Sequence, residues 1–135
     1  MADTSFHFRL VSPEAEIMTG EALSVAASGM DGDFGARPGH MPFITSLRPG
    51  VVTAQMADNP NPVRYFVTGG FADVGADTCT ILAETAVDVL GLNAGVLAAE
   101  VAALEARLKD PMDEVQHTAI SAELSVARAK LKAVG

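Results

Sequence analysis

Asp31, Asp33 and His40 are the residues whose types and spacing come nearest to doing chemistry: two carboxylates and an imidazole close together in sequence. Such a set can move protons as a general acid and base, or hold a hard cation. The three sit in the segment Gly29–Pro42, which carries four glycines, two prolines, two aspartates and the histidine. As a calcium loop the segment fails. Counting from Asp31, Gly35 takes the fifth position and Pro42 the twelfth, where a glutamate should close the site. His7, His40 and His117 are far apart and lack cysteine or paired acidic neighbours at ligand spacing, so no metal is expected. Phosphate-cradling and dinucleotide-binding glycine motifs are absent, as is a nucleophile elbow, so neither a catalytic residue nor a cofactor is expected. What the glycines and prolines of the segment do provide is a sharply turned, rigid polar loop, a feature suited to contact.

The elements that must carry this loop change character along the chain. All six phenylalanines and the single tyrosine precede residue 72, and after residue 91 alanine, leucine, valine, glutamate and lysine take over. In the first part the hydrophobic period is two, with Phe6, Phe8 and Leu10 alternating with His7 and Arg9. Short strand-like runs follow near residues 16–18, 22–28, 42–47, 51–56, 63–68, 71–74, 78–83 and 86–89. Turn signals such as Arg48-Pro49-Gly50 and Gly69-Gly70 separate them, which predicts a sandwich or flattened barrel.

The second part has the helical period. Asn93 is suited to an N-cap, with Leu92 and Leu97 placed to staple across it, and Leu97, Val101, Leu104 and Leu108 form one stripe. This helix is expected to end near Lys109, and Asp110-Pro111 to cap and open a second one on which Ile120, Leu124, Ala127 and Leu131 share a face. The expected fold is therefore α+β: an N-terminal antiparallel β-sandwich over residues 1–90 and a C-terminal antiparallel two-helix hairpin over 91–135. Alanine is dense in both helices, favouring helix formation while limiting the apolar area each can bury.

Charge narrows the partners. Residues 1–90 hold four arginines against eleven acidic residues, and the whole chain carries a net charge of −8, which excludes phosphate-backbone binding by a basic face. Cys79 is the sole cysteine and lies in a run that reads as a buried strand, consistent with a reducing compartment. Neither a signal-peptide pattern nor an apolar run of bilayer-spanning length is present, so a soluble, cytoplasmic protein is expected. The residues alone lead to a binding or mechanical part.

Five motifs add to that reading: Gly32-Asp33-Phe34-Gly35, Pro38-Gly39-His40-Met41-Pro42, Leu47-Arg48-Pro49-Gly50, Thr68-Gly69-Gly70-Phe71 and Ile81-Leu82-Ala83-Glu84-Thr85-Ala86. In order and spacing, and with the helical tail after them, they resemble the epsilon subunit of bacterial F-type ATP synthases across nearly the whole chain. The resemblance implies a non-catalytic rotor part, bound to the gamma subunit and the c-ring on the cytoplasmic face of the inner membrane, that couples ring rotation to ATP synthesis. By loop position it implies that Asp31, Asp33 and His40 face the ring, although aspartates that brace their own turn and a histidine that braces its loop are the simpler alternatives. It also implies a hairpin able to extend and obstruct ATP hydrolysis, with Arg128, Lys130 and Lys132 meeting the alpha/beta catalytic head, unless those cations only complement the helix dipole. In the stretch where some family members hold ATP, this chain keeps the motif's aliphatic residue as Leu92 but has Asn93, Val96 and Leu97 in place of its acid, arginine and alanine, so nucleotide binding is not expected. The alternatives are a free-standing β-sandwich adaptor, and a small enzyme using Asp31, Asp33 and His40.

Overall fold

A computed structural model describes residues 5–134, which divide after Asp88 into two compact units. The first unit contains nine strands: β1 (Phe6–Val11), β2 (Glu16–Gly29), β3 (Gly32–Ala36), β4 (Phe43–Leu47), β5 (Gly50–Met56), β6 (Val63–Val67), β7 (Gly70–Val74), β8 (Thr78–Ala83) and β9 (Ala86–Asp88). Period-two burial runs through them. Phe6, Phe8 and Leu10 of β1, Val52, Ala54 and Met56 of β5, and Cys79, Ile81 and Ala83 of β8 all face one core, while the residues between them point outward or are only partly buried. The expected sandwich is present as a single sheet folded on itself, in the order β1-β8-β7-β4-β2-β5-β6-β9, with β1 also paired to β2. All pairings are antiparallel except β1 with β8, which is parallel.

Closure depends on β2. Its first half pairs with β1, its middle with β5 and its end with β3, and Gly29 also meets Leu47 of β4. The register against β5 shifts between Ala22 and Ser24, so Leu23 is an extra residue that reverses which side chains point inward. Ala22 is buried on one side of the shift, and Val25 and Ala27 on the other. Two expectations are corrected here. Residues 16–18 and 22–28 are one strand, because Gly20, opposite Phe8, is paired and interrupts nothing. Residues 32–36, expected as loop, form β3; its glycines allow the backbone to lie against β2 with Gly32 at φ +133°.

A second glycine is required by contact. At Gly70 a Cβ would stand 1.9 Å from the Leu82 carbonyl oxygen, and φ is +132°, so β7 can begin beside β8 only with no side chain there.

The second unit begins with a single 3-10 turn, Val89–Gly91, followed by α1 (Ala94–Arg107) and α2 (Glu114–Val134). Asn93 caps α1 as expected, its side-chain oxygen accepting from the Val96 N–H at 3.0 Å. Leu104, Ile120, Leu124 and Ala127 are buried together, with Val101 and Leu108 packed against them. The second helix starts later than Asp110-Pro111. Asp113 and Gln116 form a reciprocal capping box, in which the Gln116 N–H donates to the Asp113 carboxylate at 2.7 Å and the Asp113 N–H to the Gln116 side chain at 3.4 Å. The Asp110 N–H instead donates to the Arg107 carbonyl, finishing the turn that ends α1.

Cys79 has no exposed surface, and burial, with the negative charge of Asp73, pushes its thiol from the usual 9.0 up to about 12. The folded state therefore keeps a proton that the unfolded chain loses, and stability should fall by about 1.4 kcal/mol for each pH unit between 9 and 12. In native protein at pH 8 iodoacetamide should leave Cys79 unmodified, and in urea it should alkylate it fully; mass spectrometry reads both.

Candidate functional site

The polar loops of the sandwich lie at its two ends, and they separate the residues that the sequence groups together. At one end are the β2–β3 turn with Asp31, the β4–β5 turn with Arg48, and the turns that begin β7 and β9. The Met30 N–H donates to the Ser46 carbonyl at 2.9 Å and the Arg48 N–H to the Ser28 carbonyl at 3.0 Å, binding the first two turns together. At the other end is the loop after β3, where the Gly39 N–H donates to the Ala76 carbonyl at 2.9 Å in the β7–β8 turn. Asp33 lies near the start of β3, and the run from it to Ala36, about 10 Å at 3.4 Å per residue, separates Asp31 and Asp33 from the loop that carries His40. The acid–base arrangement that their spacing raised is not assembled.

Each of the three has its own setting. Asp33 pairs with the Arg48 guanidinium, whose Nε also donates to the Gly29 carbonyl at 3.3 Å. The Asp31 carboxylate is exposed and has no hydrogen-bond partner among the described residues. His40 braces its loop: Nδ1 lies 2.7 Å from the Met41 carbonyl, which can only accept, so that nitrogen carries the proton, and the ring packs 5.1 Å from Phe43. Among the described residues no group of acidic, histidine or cysteine side chains is placed to hold a metal ion.

One surface was not found by reading the sequence. On the outer face of the sheet, Val11, Leu82 and Phe71 are neighbours across β1, β8 and β7, with Ile44 in the adjoining row beside Asp73. Phe71 is 54% exposed, Leu82 50% and Ile44 71%, an apolar strip on a face where solvated strands normally carry polar side chains. Val11, Phe71 and Leu82, together with Ser12, Pro13 and Glu84, line an open concavity of about 360 Å³ at the acidic end. The signal was present in the outward positions of β7 and β8, but only the cross-strand register shows that they adjoin.

On the hairpin, Arg128 donates to Glu105 of α1 at 2.7 Å, an ion pair between the two helices. Arg128 and Lys132 are four residues apart and share a face of α2, whereas Lys130 lies about 200° around the helix from Arg128. The three cations therefore do not form one patch. At the degenerate nucleotide motif, Asn93 is occupied as the cap of α1, Val96 is exposed, Leu97 is buried, and Leu92 is half-buried, so the stretch offers a nucleotide no charge. Among the described residues no helix is long and apolar enough to cross a membrane.

Comparison with known proteins agrees with this architecture. Residues 5–89 match the family described as the ATP synthase delta/epsilon chain, beta-sandwich domain. The ATP synthase epsilon chain of Rhodospirillum rubrum is 38% identical over 133 residues, covering 98% of both chains. That of Caulobacter vibrioides is 49% identical over 82 residues, covering 61% of this chain and 93% of its own. Among solved structures, a chain of the Euglena gracilis mitochondrial ATP synthase, in an assembly of OSCP, F1 and c-ring, superposes with a TM-score of 0.89 at 19% identity, over 100% of this chain and 84% of its own. A chain from the Tetrahymena thermophila mitochondrial ATP synthase, in a central stalk and c-ring assembly, does so with a TM-score of 0.73 at 16% identity, over the whole of both. These two likenesses concern the fold; the bacterial relatives and the matched sandwich carry the assignment. The chain belongs to the ATP synthase epsilon chain family.

Proposed function

We propose that this chain is a non-catalytic subunit of the central stalk that couples proton-driven rotation of a c-ring to ATP synthesis in the catalytic head. The observation that carries the reading is the apolar strip of Val11, Leu82 and Phe71 on the outer face of the sandwich. A strip of that kind on a stiff sheet is suited to permanent docking, and the gamma subunit is the partner it is assigned. The acidic end, with Asp31 and Asp33, is assigned to polar or basic loops of the c-ring, where exposed carboxylates set register and approach more than affinity. His40 belongs to the opposite end and is taken out of that contact. The subunit works as a peripheral part of the complex on the cytoplasmic face of the bacterial inner membrane, with no active site of its own.

The hairpin is assigned a conditional role as a brake on ATP hydrolysis. Extension would bring Arg128 and Lys132 toward acidic loops of the alpha/beta head, at the loss of the Arg128–Glu105 pair, a half-exposed contact worth at most about 1 kcal/mol. Deleting residues 91–135 should raise the ATPase rate of the assembled complex and leave the chain bound to gamma. An unchanged rate would remove the brake, and recovery of the intact chain only with proteins unrelated to the synthase would replace the rotor reading with that of a free-standing adaptor. Titration of the isolated chain with ATP should show no saturable binding in the micromolar range, because the stretch at Leu92–Leu97 lacks the guanidinium and carboxylate that a bound nucleotide needs. Saturable binding would contradict that expectation.

A further inference from the structure

The two aspartates at the acidic end differ in setting although they lie two residues apart. Asp33 is ion-paired with Arg48, its side chain still 77% exposed, while Asp31 projects from the turn with no partner among the described residues. Arg48 makes three contacts to the β2–β3 hairpin: its N–H donates to the Ser28 carbonyl, its Nε to the Gly29 carbonyl and its terminal guanidinium nitrogen to Asp33. The contacts fall on both sides of the turn that carries Asp31. Gly50, two residues beyond Arg48, supports the same arrangement, because a Cβ there would stand 2.6 Å from the Ser28 hydroxyl oxygen and push the β4–β5 turn away. A planar guanidinium can serve a carbonyl and a carboxylate at once; a lysine ammonium on a flexible stem is a poorer clamp.

We propose that Arg48 is a positioning residue of the rotor contact: it neutralises Asp33 and fixes the β2–β3 turn, so that Asp31 is the carboxylate presented to a basic or amide-bearing loop. This rests on the assignment of the acidic end to the c-ring. Asp33 then acts within the subunit, as the anchor that holds Arg48 in place. The two carboxylates, alike in type and in loop, have different tasks because one arginine reaches only one of them.

The test uses the full chain rebinding to the synthase stripped of it, measured in parallel on the same assembly without its c-ring, at low and high salt. Asp31→Asn should weaken rebinding to the ring-bearing assembly about fivefold at low salt and leave the ring-free assembly unaffected, as expected for one exposed charge pair. Arg48→Ala and Asp33→Asn should each reproduce part of that ring-dependent loss, Arg48→Lys should fall between Arg48→Ala and the unaltered chain, and Arg48→Ala should add nothing once Asp31 is asparagine. A merely structural role for Arg48 would lower binding in both assemblies and persist in the Asp31→Asn background, which would overturn the proposal. So would a ring-dependent loss in Asp33→Asn equal to that of Asp31→Asn with Arg48→Ala silent. Should Arg48→Ala not fold, Asp33→Asn carries the same comparison. An Asp31→Asn chain that rebinds the ring-bearing assembly with unchanged affinity overturns the ring assignment itself, whereas failure of the clamp alone leaves the Asp31 loss intact.

Discussion

The fold depends on a single long strand that changes partners along its length. β2 hydrogen-bonds to β1, β5, β3 and, at Gly29, β4, so it belongs to both layers of the sandwich. A strand of fourteen residues with strict alternation would send one side chain in every two to the same face throughout, and could line only one layer. The extra residue at Leu23 removes that restriction: before it Ala22 points inward, after it Val25 and Ala27 do, and the sheet bends where the parity changes. Phe6, Phe8, Leu10, Val52, Ile81 and Cys79 then close on a common core, and dispersion and burial in that core hold everything the chain offers to a partner.

Closure of this kind fixes two ends and an outer face. The turns at one end are tied by backbone hydrogen bonds between residues 28–30 and 46–48, and the loop at the other end by the bond between Gly39 and Ala76. Loops held by their neighbours lose little conformational entropy on binding, so a rigid contact surface needs less interaction energy to reach a given affinity. The face of β1, β8, β7 and β4 carries apolar side chains where water would be expected, and its stiffness comes from the buried side chains directly beneath, Leu10, Ile81 and Ala72. The hairpin is built on a different principle. A narrow stripe of Leu104, Ile120, Leu124 and Ala127 holds α1 to α2, and alanines at 98, 99, 102, 103 and 106 leave the remainder of α1 exposed but strongly helical.

Much of this was legible in the residues, and the exceptions have physical causes. Strands with one buried face showed themselves through period two, and Asn93 through its capping chemistry. β3 was hidden because Gly32-Asp33-Phe34-Gly35 is poor in strand formers; pairing with β2 supplies what local preference does not. The bulge at Leu23 was hidden because a leucine that breaks alternation looks the same as one that ends a strand. The start of α2 was misplaced because Asp110 and Asp113 are both capping residues, and only the reciprocal bond with Gln116 selects between them. At the candidate site, sequence proximity grouped His40 with Asp31 and Asp33, and β3, which local patterning did not reveal, carries the chain from the end that holds the aspartates to the end that holds the histidine. The apolar strip needed the register of three strands, since Val11, Phe71 and Leu82 are distant in the chain and each is unremarkable alone.

The buried, unreactive Cys79 makes the most direct measurement of the account simple, because a cysteine introduced on the surface has no native competitor. Leu82→Cys and, as a control at the opposite end, Asp58→Cys would be labelled with a thiol reagent in the free chain and in the complex with gamma. The account predicts that labelling at position 82 slows about tenfold or more on assembly, as expected when a side chain moves into a desolvated interface, while position 58 is unaffected. Equal labelling rates at position 82 in the free and assembled states would contradict it.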